Sequence, residues 1–585
     1  MRRHPTLALA LLTSIACGGE AAPPDAEDAV AFVDGKADES GYSECELGAV
    51  VDHLNEPSTT WEGLRSDGLH TRAAKNLMLH RDGADGVYGT EDDAPFLSIL
   101  EVDDVSWVGP VAISQLVAIV ADRCVSSGGG EADVVFSPQP SREVSHLQRA
   151  EDLIDSAERS LDIAMYSFRD SGIQAALQRA LDRGVSVRFI FESANGDRSD
   201  PEGTTSAKLE EMGIDVRYIN KIMHHKFVIV DGPRDSVSLD GTLMTGSGNW
   251  SSSAATRYDE NSIVISDAEA LLRFQAEYEL LWENSRDFVW NESLEFMPAF
   301  EIDPAAIAAA DHGAVDAYFT SANFDVTFSS RYGPTFSVNR GQNEVADQIV
   351  ALIQSAEREI RIASGHLRSR PISEALIAKV QENPGLDVRV YLDAQEFVSA
   401  YSHDLQVRDR EECIVAAGSS EAQIADCYDR GFLYAYQLVL EGIDVRFKYY
   451  SYRWHYSYAA QMHHKYLIVD DTLITGSYNL SDNAEHNTME NVLVLRGEAH
   501  ADLVQRFRDN FDAMYETARD TNAYQDLLDD VREGTDTFPI VFDSMALSWD
   551  EVDVLKSAMR DACSELNSTD FRTHPERHYT CNPAN

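Results

Sequence analysis

The residues best suited to chemistry come in two matched sets. His224, Lys226 and Asp231 follow the spacing H-x-K-x-x-x-x-D, and His463, Lys465 and Asp470 repeat it. Each set is followed by Gly-Ser-x-Asn (Gly246, Ser247, Asn249; Gly476, Ser477, Asn479), and eleven residues past each Asn comes Glu-Asn (Glu260-Asn261; Glu490-Asn491). An imidazole beside an ammonium, joined by an amide and a hydroxyl, offers one nucleophile or acid plus several donors. That combination suits an anion whose charge is spread over non-bridging oxygens. One set alone lacks a partner for the second proton transfer. With both, one histidine can attack phosphorus while the other protonates the leaving oxygen. Glu260 and Glu490 are expected to accept a hydrogen bond from the far nitrogen of an imidazole, fixing its tautomer and raising its basicity. The scheme requires no metal for catalysis.

The apolar runs 227–230 and 466–469 read as buried strands, whose side chains alternate faces with period two. His and Lys of each set therefore share a face, whereas Asp231 and Asp470 fall on the other side and are expected to be structural. His225 and His464 adjoin the motif histidines but face away, as packed residues. A lone His-x-Lys is ordinarily a surface pair and a lone Gly-Ser-x-Asn a turn; duplication in register is what carries the signal.

At these residues the chain resembles the phospholipase D superfamily, whose hallmark is the duplicated H-x-K-x4-D motif with its trailing G-S-x-N. The resemblance implies a phosphodiesterase with a covalent phosphohistidine intermediate. It makes His224 the attacking residue and His463 the acid and then the base, with Lys226, Lys465, Asn249 and Asn479 holding the phosphate oxygens. Ser247 and Ser477 then shape their loops or make secondary contacts. The implied reaction is hydrolysis of the distal phosphodiester of a glycerophospholipid such as phosphatidylcholine, giving phosphatidate and the free head-group alcohol, with transfer to another alcohol as a variant. The alternative is a metal-independent endonuclease of the same superfamily acting on DNA. Both sets on one chain imply a monomer, and a lipid substrate implies a membrane surface as partner.

Repetition reaches beyond the motifs. Residues 154–164 echo 353–363, amphipathic helical patterns follow at 173–181 and 372–380, strands at 185–191 and 388–392, and Gly213-Ile214-Asp215-Val216-Arg217 matches Gly442-Ile443-Asp444-Val445-Arg446. Alternating strands and helices predict an α/β fold. The expected architecture is two tandem phospholipase D-like α/β sandwich halves, 135–290 and 341–535, related by pseudo-twofold symmetry. A connector (291–340) joins them and a tail (536–585) follows. The second half carries an insertion holding Cys413 and Cys427, and an aromatic stretch (Tyr449, Tyr450, Tyr452, Trp454, Tyr456, Tyr458) suited to a lipid interface, to base stacking or to packing on its own domain.

Against 48 basic residues stand 99 acidic ones, a formal net charge of −51 over 585 residues. A surface that acidic repels polyanions, so nucleic acid and anionic membranes are disfavoured, although a local positive pocket survives screening. Residues 1–17 (basic start, apolar 7–16, then Cys17) read as a lipoprotein-type signal with lipidation at Cys17, which implies an exported protein, held in the cell envelope or secreted. An acidic, Ala- and Pro-rich linker (18–40) follows.

Six cysteines remain, and neighbour pairing gives Cys45 with Cys124, Cys413 with Cys427 and Cys563 with Cys581; other connectivities satisfy the count equally. Residues 41–125 form a small helical domain that weakly resembles a helix-hairpin-helix module at 105–112. Its acidity points to a structural or protein-docking role in place of DNA binding. Its Gly-rich loop offers Asp82, Asp85, Asp92 and Asp93 as oxygen ligands for a structural calcium, at a spacing unlike an EF-hand. A Gly-rich linker (126–134) leads into the first half.

Overall fold

The repeated strand and helix phrases fold into two sheets of the same topology. The computed structural model describes residues 44–120, 132–578 and 581, apart from 67, 84, 91, 97, 104, 292–293, 295, 429–430, 453–457 and 534–537. The signal region with Cys17, the linker 18–40, Cys124, the Cys45 side chain, Trp454 and Tyr456 lie outside the described residues. The chain divides into two units, Met1–Val125 and Ser126–Asn585.

In the first unit, helices Glu44–Asn55, Trp61–Ser66, Thr71–Arg81, Ile99–Asp103 and Pro110–Ile119 close on a core that includes Val50, Leu54, Leu64, Leu77, Val102 and Leu116. The acidic loop spends its carboxylates on its own donors. Asp82 takes Arg81 Nε at 2.5 Å, Asp92 takes the Asp85 N–H at 3.3 Å, and Asp93 takes the Thr90 N–H at 3.2 Å. Among the described residues, the acids that converge within 4.8 Å are instead Glu210, Asp215 and Asp287 of the second unit.

In the second unit, the first half supplies β1 (Ala132–Ser137), β2 (Ser160–Met165), β3 (Ser186–Phe191), β4 (Asp215–Tyr218), β5 (Ile222–Met223), β6 (Lys226–Val230), β7 (Thr242–Gly246), β8 (Glu260–Ile265) and β9 (Arg286–Asp287). The second half supplies β10 (Val315–Phe319), β11 (Phe324–Ser329), β12 (Gly333–Val338), β13 (Glu359–Ser364), β14 (Asp387–Asp393), β15 (Asp444–Tyr449), β16 (Lys465–Val469), β17 (Thr472–Gly476), β18 (Thr488–Met489), β19 (Asn491–Arg496) and β20 (Met545–Ser548). The sheet orders are β1-β8-β7-β6-β2-β3-β4-β9 and β10-β19-β17-β16-β13-β14-β15-β20, identical element for element. The central strands are Val/Ile-rich and buried on both faces, as strands covered by helices must be. Phe227 and Ile229 of β6 meet Tyr466 and Ile468 of β16 in one core shared by the two halves, while Val228 and Val230 face the first half's own core.

Three boundaries differ from the sequence expectation. β1 begins inside the Gly-rich linker (126–134), β10 comes out of the connector (291–340), and β20 comes out of the tail (536–585). All three are edge strands, whose order comes from pairing with the neighbour on their inner side and not from a local pattern. Disulfides join Cys413 to Cys427 and Cys563 to Cys581, with Cα atoms 5.8 and 5.2 Å apart, as neighbour pairing predicts. Tyr449 and Tyr450 are buried, and the Tyr450 hydroxyl donates to Asp393, so the start of the aromatic stretch packs inside its own half.

Candidate active site

β6 and β16 each begin at a motif lysine, two residues after the motif histidine, and both strands start at the seam between the halves. The contacts around the two motif histidines come in mirrored pairs, whereas the Lys448 Nζ–Asp259 Oδ1 ion pair at 2.7 Å belongs to one side alone, since Met489 stands where its mirror would need an acid. The His224 N–H donates to Met489 O at 3.0 Å and the His463 N–H to Asp259 O at 3.0 Å. Thr245 Oγ1 donates to Asn491 Oδ1 at 3.0 Å and Thr475 Oγ1 to Asn261 Oδ1 at 2.8 Å. His225 Nδ1 lies 2.9 Å from Asn491 Nδ2, and His464 Nδ1 lies 3.1 Å from Asn261 Nδ2. His225 also reaches Glu277 at 3.1 Å, so these two fully buried rings lock the halves together and face away from the site.

The carboxylates cross over. His224 Nδ1 pairs with Glu490 Oε2 at 2.8 Å, and His463 Nδ1 pairs with Glu260 Oε1 at 2.7 Å, so each imidazole is oriented by the acid of the opposite half. With Nδ1 engaged, Nε2 of each ring is the nitrogen left for chemistry. Glu490 is fixed in turn by Ser477 Oγ at 2.6 Å and Thr488 Oγ1 at 2.7 Å. Ser247 Oγ and Ser477 Oγ each accept the N–H of the Asn after the Glu, at 3.0 Å, which sets the loop. Gly246 and Gly476 open those loops where a Cβ would overlap the carbonyl of Asn261 or Asn491.

Lys226 Nζ donates to His224 O at 2.7 Å and Lys465 Nζ to His463 O at 2.8 Å, which holds each ammonium beside its ring. The Asn249 side-chain oxygen is buried without a partner among the described residues, and Asn479 lines the cavity beside His224. Asp231 and Asp470 sit at the far ends of their strands with φ of 52° and 51°. Asp231 accepts the N–H groups of Glu158, Arg159 and Ser160, and Asp470 those of Glu357, Arg358 and Glu359, all within 3.0 Å. Their task is to anchor the start of β2 and β13.

Burial dominates the electrostatics. It pulls His224 down to about 4 despite Glu490, and drives His463 well below its ordinary value, helped by Lys465 and Lys226. Both rings are thus neutral near pH 7. Burial also lowers Lys226 to about 7 and Lys465 to about 8. The two acids part company. Burial raises Glu260 to about 7, whereas in Glu490 burial, the largest single effect, is outweighed by His224, Lys226 and Ser477 together and the net shift is downward. One His–Glu pair therefore holds a carboxylate firmly ionised, and the other sits poised to carry a proton near neutrality.

Several residues at the site carry no motif signal. The Tyr166 ring packs edge-on to His224 at 4.6 Å and lies 5.0 Å from Lys226 Nζ. His146 Nε2 holds Asn249 O at 2.9 Å. Glu192, just past β3, and Asp393, the last residue of the equivalent strand β14, accept the Met223 and Met462 N–H groups just before each motif histidine, at 2.7 and 2.9 Å. The repeat could have flagged that last pair, since both are acids at the same point of the strand-helix phrase. A cavity of 640 Å³ opens beside His224, Glu490 and Asn479 and extends to Tyr166, Arg368 and Arg370.

Relatives include the mitochondrial cardiolipin hydrolases of Chlamydomonas reinhardtii (33% identical over 147 residues, 24% of this chain) and Mus musculus (32% over 148 residues, 25% of this chain). The chain spans 61% of the length of each. Similar solved structures include the phospholipase D family member Nuc from Salmonella typhimurium, at 30% identity and TM-score 0.22, covering 27% of this chain and 97% of that one. Phosphatidylserine synthase from Haemophilus influenzae has 13% identity and TM-score 0.42, covering 67% of this chain and 89% of that one. A family model described as "Cardiolipin synthase, PLD-like domain" matches residues 151–282 and again 349–515. Because those two stretches make up half of the chain and each contains one motif set, the protein belongs to the phospholipase D superfamily.

Proposed function

We propose that the protein is a phosphodiesterase that hydrolyses the distal phosphodiester of glycerophospholipids, phosphatidylcholine-like lipids and cardiolipin among them, to a phosphatidyl product and a free alcohol. The observation that carries this reading is the crossed pairing of His224 with Glu490 and of His463 with Glu260, which gives one seam two oriented imidazoles in unlike protonation environments. Neutral His224, backed by an ionised carboxylate, attacks phosphorus through Nε2. The bond to the head-group oxygen breaks, and a proton from the His463–Glu260 pair goes to that oxygen. Water then enters, His463 takes its proton, and the new hydroxyl displaces His224 from phosphorus. Lys226, Lys465, Asn249 and Asn479 meet the non-bridging oxygens. The names of the cardiolipin hydrolase relatives support a lipid substrate, and the charge of −51 weighs against DNA.

The test incubates the purified chain with phosphatidylcholine vesicles, cardiolipin vesicles and plasmid DNA, each with chelator, and repeats each with His224→Ala and His463→Ala. Head-group release abolished by either substitution supports the proposal. DNA nicking without lipid cleavage overturns it in favour of a nuclease, and activity lost to chelator but restored by a divalent cation overturns the metal-independent mechanism. The pattern of residues 1–17 supports export with lipidation at Cys17. A mature N-terminus found by mass spectrometry at any other residue refutes that assignment.

A further inference from the structure

Between the two catalytic halves lies a hairpin that the mechanism does not use. Among the described residues, β11 and β12 pair only with each other. Their register opposes Phe324 to Val338, Val326 to Phe336 and Phe328 to Pro334, and in alternation Asp325 to Ser337, Thr327 to Thr335 and Ser329 to Gly333. Directly opposed residues of an antiparallel pair share a face. One face is therefore wholly apolar, and the other carries only Asp, Ser, Thr and Gly.

At the root the apolar face belongs to the core, with Phe324 and Phe336 only 7% and 1% exposed. Towards the turn it is uncovered: Val326 is 41% exposed and Phe328 77%, and Tyr332 in the turn is 60% exposed. The hairpin is held firmly. The Phe336 N–H donates to Asn220 Oδ1 at 2.7 Å, and Arg286 Nη2 donates to Pro334 O at 2.7 Å. Its root is also the rim of the active-site cavity, since Ile222, Arg340 and Asn343 line the same 640 Å³ space as His224. Cations fringe the apolar face in this otherwise acidic chain. Lys221 Nζ lies 5.1 Å from the Phe324 ring and Arg331 lies 5.0 Å from the Tyr332 ring, with exposed Arg340 just past the hairpin.

We infer that hairpin 324–338 is a wedge that inserts into a phospholipid bilayer and sets the cavity at the level of the lipid phosphates. An apolar face ending in aromatics and bordered by cations is the chemistry that the boundary between head groups and acyl chains takes up. At about 3.3 Å per residue the turn stands roughly 17 Å beyond Phe324. Burying the outer 5–10 Å, roughly the usual depth of an interfacial element, brings the root towards the head-group layer, where a distal phosphodiester lies. This inference rests on the proposed phospholipid substrate.

The experiment compares the full chain with a Phe328→Asp/Tyr332→Asp double variant. Three readouts are taken: cosedimentation with phosphatidylcholine vesicles, turnover of those vesicles, and turnover of the soluble diester bis(p-nitrophenyl) phosphate. Vesicle binding and vesicle turnover are expected to fall about tenfold or more from the loss of two large apolar groups, while turnover of the soluble diester stays within about twofold. In Phe328→Trp, emission is expected to shift to the blue with vesicles and to be quenched by brominated lipid.

Unchanged vesicle binding by the double variant, or Trp emission indifferent to lipid, overturns the wedge. So does equal loss on the soluble diester, which would make the hairpin a support of the site. A dimer that the double variant splits without changing vesicle binding overturns it too, because a second copy would then cover the face. If the parent binds vesicles through the hairpin but cleaves no lipid, the wedge stands and the phospholipid reading falls. If parent and variant cleave vesicles equally, the reading stands and the wedge falls.

Discussion

Replacing Glu490 by Gln tests the crossed pairing directly. The carboxylate lies 2.8 Å from His224 Nδ1, with Ser477 Oγ at 2.6 Å and Thr488 Oγ1 at 2.7 Å, so Gln fits the space but loses the charge and one of the two acceptor oxygens. A hydrogen bond to a charged partner contributes about 1.5–3 kcal/mol, which at about 1.36 kcal/mol per decade is a rate loss of roughly ten- to hundredfold. The amide adds a second penalty. If its NH₂ turns towards His224 Nδ1, the ring must carry its proton on Nε2, the atom that has to attack. The expected loss in kcat/KM is therefore on the order of a hundredfold or more. The assay is rapid-mixing hydrolysis of a p-nitrophenyl phosphodiester, whose leaving group needs no protonation. Glu490→Gln slows the burst of phosphoenzyme formation, whereas Glu260→Gln spares the burst and slows the steady state, because His463 must activate water. A Glu490→Gln burst within about threefold of the parent, or equal effects of the two substitutions on the burst, would sink the assignment of His224 as nucleophile and of Glu490 as its partner.

The rate profile with pH is expected to be bell-shaped. Attack requires neutral His224, held near 4, so kcat/KM rises as pH passes about 4; the acid proton shared by His463 and Glu260 is lost as pH rises through about 7, where Lys226 also begins to discharge. A rate still climbing above pH 8 contradicts this. Arg188 is fully buried between Asp162 at 2.6 Å and Glu279 at 2.5 Å. Arg188→Ala strands buried carboxylate charge and is expected to cost about 3–5 kcal/mol, read as a large drop in melting temperature; an unchanged melting curve refutes the account.

Much of the site was legible because its parts are local. Strand periodicity alone places His224 with Lys226 and turns Asp231 away, and the duplication supplies the second copy of each. The exchange of Glu260 and Glu490 between halves was not legible. Spacing says that a Glu follows each Asn at a fixed distance, but which imidazole it meets depends on how two sheets dock, and no short-range pattern encodes that. The edge strands β1, β10 and β20 were hidden for the related reason that they borrow their order from a neighbour. The β11–β12 hairpin lies within the segment 291–340 taken as a connector although Phe324-Asp325-Val326-Thr327-Phe328-Ser329 alternates apolar and polar in the sequence itself; only its pairing with β12 needed the structure.

The exchanged carboxylates turn the catalytic centre into a coincidence detector for docking of the two halves. A slight splaying at the seam would strip both imidazoles of their acids in the same instant, so partial unfolding of either half silences the enzyme outright in place of leaving it half-active. Damage on one side is thereby reported by the reactive ring on the other. A buried, neutral imidazole gains from that arrangement, because a misassembled copy is inert and not promiscuous.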